Sequence, residues 1–194
     1  MLALSFLRLE TPVLEGKRVL LRQPRVSDYT EWARLRGESR SFLEPWEPRW
    51  TTDELTPTAW RQRVRRYKNE HSAGTGTAYL IFEKPSGTLL GGINIGNIRY
   101  GVSQSAQIGY WMGAPHAGKG FMQDAIGALL SHAFGRMRLH RIEAACIPDN
   151  ARSIRVLEKA GFTREGLLRS YLRINGAWQD HYIYSLIAEE HGAG

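Results

Sequence analysis

Residues 108–122 read IGYWMGAPHAGKGFM, which joins a strand-like run, a glycine turn and the first residues of a helix. The strand-like run ends at Met112, the glycine turn is GKG at 118–120, and Asp124 stands in the first turn of the predicted helix. Glycines let successive backbone N–H groups point at one spot, and a helix N-terminus adds partial positive charge. The stretch therefore predicts an anion site suited to a pyrophosphate, although a tight strand-to-helix turn without a ligand would use the same glycines.

The turn differs from the two best-known phosphate-binding patterns. The GxxxxGK[ST] pattern of a P-loop is absent, and no GxGxxG is followed by an acidic ribose-binding residue. No acidic metal-binding pair accompanies it, so the sequence argues against a nucleotide-hydrolysing enzyme. His140 and His181 lack the spacing of metal ligands, and we predict no metal site.

Outward from this turn, the hydrophobic pattern predicts alternating strands and helices. Predicted helices begin near Ser27, Pro57, Phe121 and Asn150, and Asn175-Gly176 is a strong hairpin signal. The strand–helix–strand order in the middle implies one parallel pair with antiparallel strands on both sides. We predict an α/β fold of the α+β type, with a mostly antiparallel central sheet and about four flanking helices. The predicted strands cover residues 18–22, 77–83, 89–100, 104–112, 141–147, 163–172 and 180–187.

Composition is that of an ordinary globular chain, with 42% hydrophobic and 23% charged residues among 194. We expect a single domain over residues 1–194, with residues 1–16 loosely ordered. The single cysteine, Cys146, excludes a disulfide-stapled fold. The N-terminus lacks the features of a signal peptide, and no apolar run approaches the roughly 20 residues of a membrane span. We therefore expect a soluble, cytoplasmic protein without a membrane partner.

Net charge is +7, which favours an anionic partner without selecting nucleic acid, an acidic protein or a phosphorylated small molecule. The densest basic cluster is residues 61–68, and Trp60 just before it falls at helical spacing with Val64 and Tyr67 inside it. We interpret its cations as the solvated face of an amphipathic helix.

A second segment, NARS at residues 150–153, opens the short helix that ends before Gly161. Asn150 is a favourable N-cap, and Ser153 falls at the third helical position. Helix capping alone would account for both residues.

Taken together, AGKGFM, the long helix, the next strand and NARSIRVLEKAGF resemble the GNAT acetyltransferase signature in order and spacing. The resemblance is closer still to the ribosomal-protein-alanine N-acetyltransferases, which acetylate the N-terminal alanine of a small-subunit ribosomal protein. It covers residues 18–187. The segments that carry it are FLEPWEP (42–48), HRIEA (140–144), Glu165-Gly166 and YLRINGAWQDH (171–181).

The resemblance implies acetyl-CoA as the cofactor of a single GNAT-like domain. In that family the glycine turn holds the pyrophosphate, the parallel strands splay to admit the pantetheine arm, and the Asn-x-x-Ser helix lies beside the thioester. The coenzyme-binding residues are then Tyr110, Trp111, Met112, His116, Ala117, Gly118, Lys119, Gly120, Phe121, Met122, Asn150 and Ser153. Two positions depart from the family pattern: Leu157 replaces a tyrosine that serves as general acid, and Pro115 replaces a basic or amide residue.

The expected reaction is direct attack of a neutral amine on the thioester carbonyl, with a backbone N–H near residues 110–112 stabilising the oxyanion. Ser153 is the candidate proton donor, beside Asn150, and Glu47 is the carboxylate that we would test first as base. An α-amine has a pKa of about 8, whereas a lysine side chain has one of about 10.4. At neutral pH the neutral fraction of the α-amine is therefore roughly two hundred times larger. Trp46, Glu47, Trp50 and Tyr171 are candidates for the acceptor site, although a loop carboxylate and packed tryptophans would look the same.

Two alternatives keep the fold. One is a GNAT enzyme that acetylates a small-molecule amine, because the glycine turn does not distinguish acceptors. The other is a ribosome- or RNA-binding module, which a net charge of +7 allows. No RNA-binding motif of the usual kinds is present. The expected partner is thus a protein N-terminus, with ribosome association allowed, direct nucleic-acid binding not expected, and monomer or dimer left open.

Overall fold

The computed structural model describes residues 12–191, and its centre is an eight-stranded sheet in the order β1-β2-β3-β4-β5-β6-β8-β7. Every neighbouring pair is antiparallel except β5 and β6, which are parallel. The predicted mixed sheet with one parallel pair is confirmed. The strands are β1 Leu14–Glu15, β2 Val19–Arg22, β3 Gly76–Glu83, β4 Leu89–Arg99, β5 Ser105–Met112, β6 Arg141–Cys146, β7 Thr163–Ile174 and β8 Ala177–Ile187.

Five α-helices lie within the described residues, one more than predicted. The additional helix is a single turn inside the Pro- and Trp-rich loop, and a 3-10 turn, Glu44–Trp46, follows it directly. Among helices in this part of the chain, none is long and apolar enough to cross a membrane. The helices are α1 Tyr29–Glu38, α2 Arg40–Leu43, α3 Pro57–Ser72, α4 Phe121–Gly135 and α5 Ala151–Lys159.

The two faces of the sheet carry separate hydrophobic clusters. On one face, α4 and α5 pack through side chains that are almost fully buried, among them Ile126, Leu129 and Leu157. On the other, Trp32 of α1 stacks on Trp60 of α3 with ring centroids 4.4 Å apart. Most cations of α3 point to solvent as predicted, but Arg63 turns inward and pairs with Glu54.

Strands β5 and β6 pair only at their beginnings, from Ser105 opposite Arg141 to Gln107 opposite Glu143. Beyond that point β6 continues its pairing with β8, while β5 diverges from it toward Met112. The predicted splay is therefore present, and the first turn of α5 faces the opening. The candidate site lies at this gap between β5 and β6.

Local signals predicted several ends of elements correctly. Pro57 begins α3, Asn150 caps α5, and Gly161 follows the cap of α5 with φ +88°. In the β7–β8 turn, Asn175 and Gly176 both have positive φ, 44° and 86°, as a type I′ hairpin requires.

Two details near the N-terminus go beyond what the sequence analysis predicted. Asp28 precedes α1 but does not cap it with its side chain, because its carboxylate is bound to the Arg22 guanidinium and to the Arg25 N–H. Strand β1 was not predicted, although it lies within the segment expected to be loosely ordered. Most of that segment, residues 1–11, lies outside the described residues.

Candidate active site

The glycine turn after β5 has the backbone conformation that its sequence predicts. Gly118 and Gly120 have φ of +76° and +81°, a region that side-chain-bearing residues rarely adopt. Gly120 is the N-cap residue of α4, so the free N–H groups of the first helical turn face the same side as the loop. The turn can therefore bind an anion through its backbone.

A long-range clamp holds this turn against the β1–β2 connection. The Asp124 carboxylate accepts hydrogen bonds from the backbone N–H groups of Lys17, Arg18 and Val19 at 2.8, 2.6 and 3.1 Å. In return, the Arg18 guanidinium donates to the Lys119 carbonyl at 2.9 Å and lies 4.1 Å over the Phe121 ring. The acidic residue predicted in the first helical turn thus fixes the backbone that forms the anion site.

Replacing Asp124 with alanine should lower the free energy of unfolding by about 2 kcal/mol, because three N–H groups lose their acceptor. The KM for acetyl-CoA, the cofactor that the resemblance implies, should also rise several-fold, since the turn is no longer held. Urea denaturation and steady-state kinetics measure the two effects. Asp53→Ala, at an exposed position in the α2–α3 connection, is the control and should change neither quantity appreciably. Equal free energies of unfolding for the two variants would show that the Asp124 clamp does not stabilise the fold.

A cavity of about 830 Å³ extends from the glycine turn to the first turn of α5 and the Pro- and Trp-rich loop. Its size is typical of a site for a cofactor. It brings together most of the predicted site residues, namely Trp46, Glu47, Tyr110, Trp111, Met112, His116, Ala117, Gly118, Gly120, Phe121, Met122, Asn150 and Ser153.

Three cations on α5 also line this cavity and were not predicted: Arg152, Arg155 and Lys159. Their spacing of three and four residues places them on one helix face, a signal that the sequence contains. They add three positively charged side chains to the lining of the cavity. The arrangement suits a ligand with several phosphate groups.

Three predicted site residues do not line this cavity. Lys119 stands in the turn with an exposed side chain, and Tyr171 lies on β7 with its ring against His181, 5.8 Å between centroids. Trp50 is buried and lines a second cavity of about 400 Å³, which adjoins the first at Glu47, Tyr110 and Trp111. Their roles in binding remain predictions.

At the start of α5, capping and chemistry use different atoms. The Asn150 side-chain oxygen accepts a hydrogen bond from the Ser153 N–H at 3.1 Å, which confirms the capping interpretation. The Ser153 hydroxyl does not take part in the cap and lies 2.8 Å from the Tyr110 hydroxyl. Burial raises the pKa of Tyr110 well above its usual range and that of the Cys146 thiol to about 11. The Tyr110 phenol and the Cys146 thiol therefore both carry their protons at neutral pH.

Glu47 is held in a buried ion pair. Both of its carboxylate oxygens accept from the Arg36 guanidinium at 2.7 Å, and the Trp50 indole N–H donates at 2.8 Å. Arg36 itself lies between two indole rings, 4.3 Å from Trp50 and 4.9 Å from Trp111. Because these donors occupy both oxygens, Glu47 orders the loop that separates the two cavities.

The tip of the β7–β8 hairpin closes the same region from the other side. The Asn175 N–H donates to the Glu47 carbonyl at 2.9 Å.

Beside the glycine turn, burial and the neighbouring Lys119 charge lower the pKa of His116, so its imidazole is neutral at pH 7. His116 can therefore offer a ring N–H to an anion but adds no charge.

Comparison with known proteins gives this geometry a context. A family model described as an acetyltransferase (GNAT) domain matches residues 18–163. A probable N-acetyltransferase of Bacillus subtilis, YjcK, is 35% identical over 175 residues, covering 90% of this chain and 97% of its own. The ribosomal protein uS5-alanine N-acetyltransferase of Escherichia coli is 31% identical over 173 residues, 89% of each chain. The structure of Mycobacterium smegmatis RimJ in complex with a CoA-disulfide superposes with a TM-score of 0.89 at 34% identity, covering 94% of this chain and 90% of RimJ.

Proposed function

The chain belongs to the GNAT acetyltransferase family and is an acetyl-CoA-dependent N-acetyltransferase, and from this premise we propose that its acceptor is the N-terminal alanine of a ribosomal protein. The observation that carries the proposal is the pair of adjoining cavities. One has the glycine turn and three cations of α5, and the other is smaller and lined by seven aromatic residues together with three arginines and two glutamates.

In this proposal the 830 Å³ cavity holds the coenzyme. The pyrophosphate lies on the backbone of residues 118–120 with the α5 cations opposite, and the pantetheine arm enters the gap between β5 and β6. Beyond Gln107 the register between these strands ends, which leaves the β6-facing edge of β5 open to the ligand. A backbone N–H near residues 110–112 is then available to the developing oxyanion.

The transfer is direct: the amine nitrogen attacks the thioester carbonyl, and Ser153 supplies a proton to the departing sulfur. Glu47 accepts three hydrogen bonds, so removing a proton from the amine would require it to give up a donor. We therefore assign Glu47 to shaping the acceptor site and the proton to water. An α-amine, with a pKa near ~8, loses its proton easily enough for that.

The acceptor enters beside Trp46 and Trp50, below the hairpin that carries Tyr171. Trp32, Trp60 and Trp111 line the smaller cavity together with charged residues, and its volume of about 400 Å³ suits a small first residue such as alanine. The E. coli relative, named for its action on ribosomal protein uS5, supports a ribosomal acceptor. The proposal treats residues 1–194 as one domain and places the enzyme in the cytoplasm, with ribosomes as a transient partner.

A panel of amines tests the acceptor. Peptides that begin with alanine, serine or leucine, together with a polyamine, are compared by release of the CoA thiol at equal acetyl-CoA concentration. We expect kcat/KM for the alanine peptide to exceed that for the polyamine and for the leucine peptide by at least about tenfold, because a missing or misfitting contact costs about 1–3 kcal/mol. A polyamine turned over as well as the peptide would instead identify a small-amine acetyltransferase.

A further inference from the structure

A second hydroxyl lies next to the candidate proton donor. The Tyr110 hydroxyl of β5 and the Ser153 hydroxyl of α5 are 2.8 Å apart, and both residues line the larger cavity. The end of β5 and the first turn of α5 face each other at the opening between β5 and β6. The pair thus spans the gap in which the thioester is placed.

Serine alone is a poor source of a proton. Its hydroxyl is a very weak acid, so it protonates a thiolate efficiently only when it receives another proton as it gives one. At position 157, where the family has an acidic tyrosine, this chain has the buried residue Leu157. Tyr110 is the hydroxyl within hydrogen-bond distance of Ser153, and burial keeps it protonated.

We propose that Tyr110 and Ser153 form a two-hydroxyl proton relay that protonates the departing coenzyme thiolate. The relay rests on the proposed placement of the thioester beside Ser153 and does not depend on which amine is the acceptor. Tyr110 is its catalytic second member. The Asn150 cap is a positioning contact, because it fixes the backbone from which the Ser153 hydroxyl projects.

The protons and bonds balance as follows. The amine nitrogen forms a C–N bond and the C–S bond breaks as the carbonyl re-forms, which leaves one proton too many on nitrogen and one too few on sulfur. Ser153 gives its hydroxyl proton to sulfur and takes the hydroxyl proton of Tyr110. Tyr110 recovers a proton from water in the cavity, and the same water receives the proton that the nitrogen releases. No net charge remains on either hydroxyl.

Tyr110→Phe, Ser153→Ala and the double variant test the relay, with whichever amine the wild-type enzyme acetylates fastest. Each single change should lower kcat by roughly 100-fold with little change in the KM for acetyl-CoA, at the lower end of the range for loss of acid catalysis. The double variant should be no slower than the slower single variant, because the two residues act as a unit. Tyr184→Phe is the matched control: it removes another buried tyrosine hydroxyl, bonded to Glu158, and should retain kcat.

A proton inventory in mixtures of H₂O and D₂O separates relay from packing. Wild-type kcat should curve with deuterium fraction, as two protons in flight require, and Tyr110→Phe should make the plot linear. A kcat for Tyr110→Phe within twofold of wild type, losses that multiply in the double variant, or a linear wild-type plot would each overturn the relay. Failure of the alanine peptide as a substrate would overturn only the proposed acceptor, since the relay is measured with the best amine found.

Discussion

Replacing Gly118 with glutamate will raise the KM for acetyl-CoA on the order of 100-fold. A Cβ at this position meets no atom within 4 Å, so the new side chain extends from the turn into the space assigned to the pyrophosphate. A carboxylate about 5 Å from one phosphate charge costs about 3 kcal/mol at an effective dielectric constant of about 20. The left-handed φ of +76° costs about 1 kcal/mol of backbone strain, which lowers the stability of the variant with and without coenzyme and so leaves the KM unaffected. Calorimetric titration with acetyl-CoA and the dependence of rate on its concentration measure the effect.

The chain offers a closely matched control in Gly87. It lies in the β3–β4 turn with φ +67°, and a Cβ there also meets nothing within 4 Å. Gly87→Glu therefore introduces the same charge and the same strain away from the cavity, and its KM should stay within about twofold of wild type. Equal weakening of coenzyme binding in both variants would mean that net charge or stability, and not the turn, is responsible. An unchanged KM in Gly118→Glu would place the pyrophosphate elsewhere.

Features of the fold that depend on neighbouring residues could be predicted from the sequence. Gly118, Gly120 and Gly176 adopt the left-handed backbone that glycine permits, and Asn150 caps its helix through the residue three positions later. The strand–helix–strand order was enough to predict the parallel pair. Short elements were not predicted, because a two-residue strand and a four-residue helix show almost no hydrophobic periodicity.

Contacts between residues far apart in the sequence were not predicted for a different reason. Asp124 finds its partners more than one hundred residues away, and Tyr110 meets Ser153 across 43 positions. Their pairing follows from the order of the strands in the sheet, which no local pattern encodes. The position and backbone conformation of the glycine turn were therefore predictable, whereas the clamp and the hydroxyl pair became visible only in three dimensions.

Glu47 shows how a candidate site residue can be proposed from the sequence while its hydrogen-bond partners are missed. The sequence pointed to the loop carboxylate, but its partner Arg36 lies on α1, where an arginine is normally exposed. Here the Arg36 side chain is only 7% exposed and holds both oxygens of Glu47. The carboxylate that looked available as a base is thus half of a buried pair.

We expect Arg36→Met to lower the free energy of unfolding by about 3 kcal/mol, because the change leaves the Glu47 charge, 20% exposed, without its cation. The loop that carries Trp46 and Trp50 should loosen, so the KM for the acceptor should rise more than that for acetyl-CoA. Urea denaturation measures the stability, and kinetics with each substrate varied in turn measure the second effect.

Arg34→Met is the control on the same helix. Its ion pair with Glu38 is exposed, 58% and 47% for the two side chains, and such pairs contribute at most about 1 kcal/mol. The double variant Arg36→Met with Glu47→Gln should recover part of the lost stability, since it removes the unpaired charge and keeps an oxygen for the Trp50 N–H. No recovery would assign the loss to the packing of Arg36 between the two indoles. A loss of unfolding free energy no greater than that of Arg34→Met would show that the buried pair does not hold the loop that carries Trp46 and Trp50.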